Sequence, residues 1–205
     1  MNYQTEQEEF WAGEFGNEYI FRNSSAENLA SNLNFFSRAL KQTGKPNSLI
    51  EFGANVGINL KAIKLLYPNI KLHGVEINQN ASKILQDTIG RENVSNMSIF
   101  DYGSSNRYDV VLIKGVLIHI NPQMLGVIYE KLYTASNKYI LICEYYNPSP
   151  VTINYRGHID RLFKRDFAGE FLRTYSDFKL MDYGFVYKGD VAFPQDDITW
   201  FLLGK

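Results

Sequence analysis

The chain has 205 residues, 45% of them hydrophobic, and 21 basic against 22 acidic side chains leave a formal charge of -1. That length fits one domain with its own core, and the balanced charge lacks the basic footprint of a large nucleic-acid surface. A single cysteine excludes an internal disulfide framework and fits a reducing compartment, so the expected location is the cytoplasm.

The polar, acidic start Met1–Glu9 is unlike a secretory signal, and no apolar run approaches the ~20 residues of a membrane span. From Ala26 to Leu40, apolar residues at Leu29, Leu33, Phe36 and Leu40 predict an amphipathic helix. Gly44–Asn47 breaks it before a first strand, Ser48–Phe52. A helix from about Gly57 to Tyr67 then stops at Pro68. A second strand (Lys71–Ile77), a helix (Ala81–Ile89), a third strand ending in Met97–Asp101 and a fourth strand (Tyr108–Lys114) follow. A helix from about Pro122 leads to a fifth strand, Tyr139–Tyr145. Alternation of apolar strands with helices predicts a parallel sheet covered on both faces. Two strand-like runs, Phe178–Lys188 and Ile198–Leu203, predict a closing antiparallel pair. Cys143 lies inside the fifth strand's apolar run and reads as a buried, inert thiol.

The chemistry concentrates in Ser48-Leu-Ile-Glu-Phe-Gly-Ala-Asn-Val-Gly-Ile-Asn59. Strand, glycine turn, helix, strand and acid together outline a nucleotide-type pocket at the carboxyl edge of a parallel sheet. A dinucleotide fingerprint needs glycine at relative positions 1, 3 and 6. Here those positions hold Gly53, Asn55 and Ile58, which disfavours NAD. Gly53 and Gly57 allow a tight turn and a close backbone, and Asn55 tolerates left-handed angles. Glu76 ends the second strand near the spacing of ~20 residues expected for a ribose-binding acid.

Glycines at 53 and 57 preceded by Glu51 resemble motif I of the class I S-adenosylmethionine-dependent methyltransferases. The resemblance implies a Rossmann-like α/β fold with a mostly parallel seven-stranded sheet, an antiparallel last strand, and helices on both faces. It further implies that Glu51 takes the methionine amine, that Asp101 binds the adenine amino group, and that Ala54, Ile77, Phe100 and Lys114 line the cofactor site. Phe10–Asn23, Glu51–Asn59, Leu162–Glu170 and Phe193–Phe201 together resemble the pseudaminic acid biosynthesis-associated methylases over nearly the whole chain. That implies one domain over 1–205, with a helical cap at 1–45 and a substrate-side insertion at 147–176. Trp11, Tyr19 and Arg22 would then form a lid, with Arg22 near the cofactor carboxylate; Phe10 and Trp11 equally fit a packing role.

An activated sulfonium methyl needs alignment, and a base only when the acceptor is protonated. His119 beyond the fourth strand, and Glu144 and Tyr145 at the end of the fifth, are the candidate catalytic groups. Tyr146, Arg156, His158, Arg161, Lys164 and Arg165 are the candidate substrate contacts. Guanidinium groups suit carboxylate or phosphate, so an anionic sugar of the nonulosonic acid type, free or nucleotide-linked, is the expected acceptor. The alternatives are a solvated helix face for these charges, another small-molecule acceptor, or a non-catalytic cofactor-binding protein. With three histidines and one cysteine at no ligand spacing, no metal is expected.

Overall fold

The computed structural model describes residues 3–20, 25–103 and 105–205. Thr5 caps α1 (Glu6–Ala12): its side chain accepts from the Glu8 N–H while Glu8 reaches back to the Thr5 backbone. A second short helix, α2 (Glu14–Ile20), precedes α3 (Ala26–Ala39). The doubly wound part then runs β1 (Ser48–Phe52), α4 (Ile58–Leu66), β2 (Lys71–Glu76), α5 (Gln79–Ile89), β3 (Val94–Asn96) and β4 (Tyr108–Lys114). It continues through α6 (Leu125–Ala135), β5 (Ser136–Glu144), β6 (Val151–Tyr155), β7 (His158–Lys164), α7 (Phe167–Thr174), β8 (Lys179–Val186) and β9 (Ile198–Gly204).

The main sheet has seven strands in the order β3-β2-β1-β4-β5-β9-β8. Pairs among β1 to β5 are parallel, and β9 lies antiparallel between β5 and β8. Side chains alternate across each strand, so the sheet carries two cores. Ile50, Phe52, Val111, Ile113 and Ile142 pack with α6 and α7. Leu49, Val110, Leu112, Leu141 and Cys143 pack with α3 and α4. Cys143 is fully buried, and burial pushes its thiol well up. Among the described residues no helix is long and apolar enough to cross a membrane.

Two segments differ from the sequence expectation. The third strand ends at Asn96, because the Ser98 hydroxyl accepts from the Phe100 N–H at 3.1 Å and turns the chain before Asp101. The charged run after β5, placed in a substrate-side insertion with a helix face as the alternative, is a hairpin, β6 paired antiparallel with β7. Its two-residue loop, Arg156-Gly157, has φ of 51° and 86°, the backbone of a primed hairpin turn that matches strand twist.

Candidate active site

A cavity of about 680 Å³ opens at the carboxyl ends of β1, β2, β4 and β5, roofed by α1, α2 and the β6–β7 loop. Its place is the switch point of the open sheet, where β1 has β2 on one side and β4 on the other. The size suits a small molecule.

The β1–α4 turn forms one wall. Gly53 (φ 73°), Asn55 (φ 49°) and Gly57 (φ 84°) all adopt left-handed backbone. Gly53, Ala54 and Asn55 line the cavity, whereas Gly57 lies outside its lining. A Cβ on Gly53 would sit 2.4 Å from Val116, and one on Gly57 2.6 Å from Leu85. Both glycines are thus required by packing and by φ, and in neither case does the missing Cβ open space toward a ligand.

Glu76 ends β2 on the cavity wall. Its carboxylate accepts from the Asn55 and Asn78 N–H groups, each at 2.7 Å. Burial raises its pKa against those two bonds. Ile77, Phe100, Lys114 and Tyr19 also line the cavity. Glu51 lies just behind the lining, fully buried. One oxygen accepts from Asn59 Nδ2 at 2.6 Å and the other has no partner. Burial pushes its pKa up to about 8, opposed by Asn59 and Lys114. The side-chain oxygens of Asn55 and Asn59 are likewise buried without a partner. Asp101 is exposed, bonded only weakly to Gln4 at 3.2 Å, and off the cavity, where Ser98 and Ile99 stand instead. Arg22 lies outside the described residues.

His119, Glu144 and Tyr145 all reach the cavity wall. His119 Nδ1 lies 2.6 Å from the Arg161 carbonyl. A carbonyl only accepts, so Nδ1 carries the proton and Nε2 is the ring's acceptor. Burial pushes its pKa down to about 4. Glu144 accepts from the Val116 and Leu117 N–H groups at 2.9 Å and from Ile118 at 3.4 Å. Its carboxylate therefore fastens the β4 loop. Burial also raises Tyr145, so its phenol stays protonated at neutral pH.

Of the basic run, Arg156 lines the cavity and the rest turn away. Arg161 pairs with Glu6 at 3.1 Å, and Arg165 pairs with Glu170 at 2.6 Å. Lys164 sits 5.1 Å over the Tyr145 ring. His158 lies against Phe10, and the exposed Tyr146 lies against Phe201. Sequence reasoning missed Asn28, Ser31 and Asn32 of α3, which face the cavity with Gln195 and Lys188 of the tail. Their spacing gives a polar stripe on one helix face beside the apolar one, and that signal was readable.

The buried carboxyls set a pH dependence. Glu51 and Glu144 are raised to about 8 and about 7 from an ordinary 4.5, so between those values the folded state holds protons the unfolded chain releases. Their stabilisation is complete below the unfolded value and is lost as pH rises through the folded ones. His119 and His73, both lowered by burial, are neutral in both states well above about pH 6.5 and add no slope there. The ligand-free Tm is expected to fall between pH 7.5 and 8.5, and Glu51→Gln should flatten that fall. A Tm that rises over this range would contradict the burial of an uncompensated Glu51.

No family model matches this sequence, and no curated protein matches it. Solved structures do match. A magnesium protoporphyrin IX methyltransferase of Synechocystis PCC 6803 with bound SAM aligns over 100% of both chains, at TM-score 0.69 and 11% identity. A 1,6-didemethyltoxoflavin-N1-methyltransferase of Burkholderia thailandensis with S-adenosylhomocysteine aligns over 97% of this chain and 86% of that one, at TM-score 0.70 and 15% identity. A SAM-dependent methyltransferase of Archaeoglobus fulgidus aligns over 94% and 100%, at TM-score 0.68 and 13% identity. The fold of this chain is therefore the Rossmann-like fold of those methyltransferases.

Proposed function

We propose that this protein is an enzyme that takes S-adenosylmethionine into the cavity and moves its methyl to a small-molecule acceptor. The observation that carries the reading is Glu76, a carboxylate fixed by two backbone N–H groups beside the left-handed Gly53–Asn55 turn. Neighbours of the same fold were crystallised with SAM or S-adenosylhomocysteine. The residues fit that group. The side-chain oxygens of Asn55 and Asn59, both lining residues, and one oxygen of Glu51, which Asn59 contacts from behind the lining, have no partner; such acceptors suit an ammonium, which would also favour ionised Glu51. Glu76 would accept from ribose hydroxyls. Ser98 and Phe100 would take the adenine end, in place of Asp101.

When bound, the cofactor supplies a methyl already activated on a sulfonium. The chain's own part is then alignment and the exclusion of water. Glu144 holds the β4 loop, and the neutral His119 offers Nε2 as a hydrogen-bond acceptor for the acceptor's O–H or N–H. At about 4 its basicity is low, so it orients the acceptor more than it stores a proton.

An anionic sugar acceptor is a second reading, which rests on the family resemblance and would use Arg156 and Lys188 at the cavity wall. The test is incubation with methyl-labelled S-adenosylmethionine and a panel of phenols, N-heterocycles and nonulosonic acids. Label should appear in one class of small product. Label that stays in the cofactor across the panel would favour a non-catalytic cofactor-binding protein.

A further inference from the structure

We infer that the acceptor of this cavity is a compound with a flat, uncharged ring, held against a wall of aromatic side chains. The inference rests on the methyl-transfer reading and names the substrate class for the same site.

Tyr19, Trp11, His119, Tyr155 and Tyr145 all line the cavity, and they form a connected series. The Trp11 ring lies 5.3 Å from Tyr19, edge-on, and 4.6 Å from His119. His119 lies 5.1 Å from Tyr155. Tyr145 is close enough to Tyr19 and Tyr155 for each to disturb its ionisation. These rings come from the cap, the β4 loop, the end of β5 and the hairpin, so the fold assembles the wall from distant parts of the chain. Such a wall rewards offset or edge contact with another ring, beyond what area burial alone gives.

The wall is neutral. His119 is uncharged at pH 7 and Tyr145 is protonated. Of the cations expected to meet a charged acceptor, Arg161 is paired with Glu6, Arg165 with Glu170, and Lys164 lies over the Tyr145 ring, while Lys114 and Lys188 share the cavity lining with the carboxylates of Glu8, Glu76 and Asp196. Arg156 lines the cavity but is exposed and lies 5.6 Å over the Tyr155 ring. An acceptor with an aromatic face therefore gains more here than one that needs bidentate guanidinium contacts. His119 Nε2, within the same wall, would meet a hydroxyl or N–H on that ring.

The test is calorimetric titration of 2-naphthol into protein saturated with S-adenosylhomocysteine, with N-acetylneuraminic acid as the acidic-sugar comparison. Naphthol should bind and the sugar acid should not. Tyr155→Leu should weaken naphthol about tenfold, the loss of one ring contact and its area. Tyr155→Phe should restore affinity to within about twofold, because the ring and not the hydroxyl is at issue. Affinity for S-adenosylhomocysteine should be unchanged in both variants. Binding of the sugar acid without naphthol, or wild-type naphthol affinity in Tyr155→Leu, overturns the inference. If S-adenosylhomocysteine itself fails to bind, the cofactor reading falls alone, and the naphthol titration without it still supports or overturns the ring wall.

Discussion

Glu76→Ala is expected to lower affinity for S-adenosylhomocysteine by about a hundredfold or more. Two charge-assisted bonds to ribose hydroxyls, at about 1.5–3 kcal/mol each, give that figure when every 1.4 kcal/mol is a factor of ten. A second loss accompanies the first. The Asn55 and Asn78 N–H groups, each now 2.7 Å from the carboxylate, would lose their partner. A buried donor left unpaired costs about 1–3 kcal/mol, so the Gly53–Asn55 turn should loosen and the Tm should drop with the affinity. Glu76→Gln keeps the volume and one acceptor oxygen, and should fall between wild type and the alanine variant in both measurements. Calorimetry on variants of checked folded fraction separates the two effects. Wild-type affinity in a folded Glu76→Ala protein would remove Glu76 from the cofactor site.

Glu144→Ala should be the most destabilising of the cavity substitutions. Its carboxylate serves the N–H groups of Val116, Leu117 and Ile118, and it is itself buried with 3% exposure. Removing it strands those donors under the β4 loop. At 1–3 kcal/mol for each buried unpaired group, a loss of about 3 kcal/mol or more follows. In a chain of this size that is a Tm drop of about 6–12 °C. Glu144→Gln should lose less, since one oxygen still accepts. Activity should track the folded, ordered loop in both variants. A Glu144→Gln protein of wild-type stability with no turnover would instead make Glu144 the base, against its observed hydrogen bonds.

The parts of this molecule that sequence made legible are those whose requirements are local. Gly53 and Gly57 mark positive φ, Asn78 caps α5 through its side-chain oxygen, and the apolar runs of β1, β2 and β4 are buried strands. The β1–α4–β2 unit and the parallel character of the first five strands were readable for that reason. Ser98 was a harder case. Its hydroxyl ends β3 early, and a reading that followed apolar residues ran the strand through to Asp101. The Arg156–Arg165 run is expected as a substrate-side insertion, with a solvated helix face as the alternative, although Arg156-Gly157 between β-rich segments is a hairpin signal. Which cations face the cavity could not be read locally, because the partners lie far off in the chain: Glu6 for Arg161, and α7 for Arg165 through Glu170. The aromatic wall is hidden for the same reason, since its rings come from four separate segments.

The cavity beside Glu76 is the proposed site for S-adenosylmethionine. Its most direct test is calorimetric titration of the wild-type protein with S-adenosylhomocysteine at pH 7, in phosphate and in Tris. One saturable site per chain is expected. The observed heat should also differ between the buffers, because an ammonium drawing a proton off Glu51 must release it to solvent. NAD, lacking its glycine fingerprint here, should give no comparable heat. No saturable binding of S-adenosylhomocysteine, or tighter binding of NAD, would contradict the account.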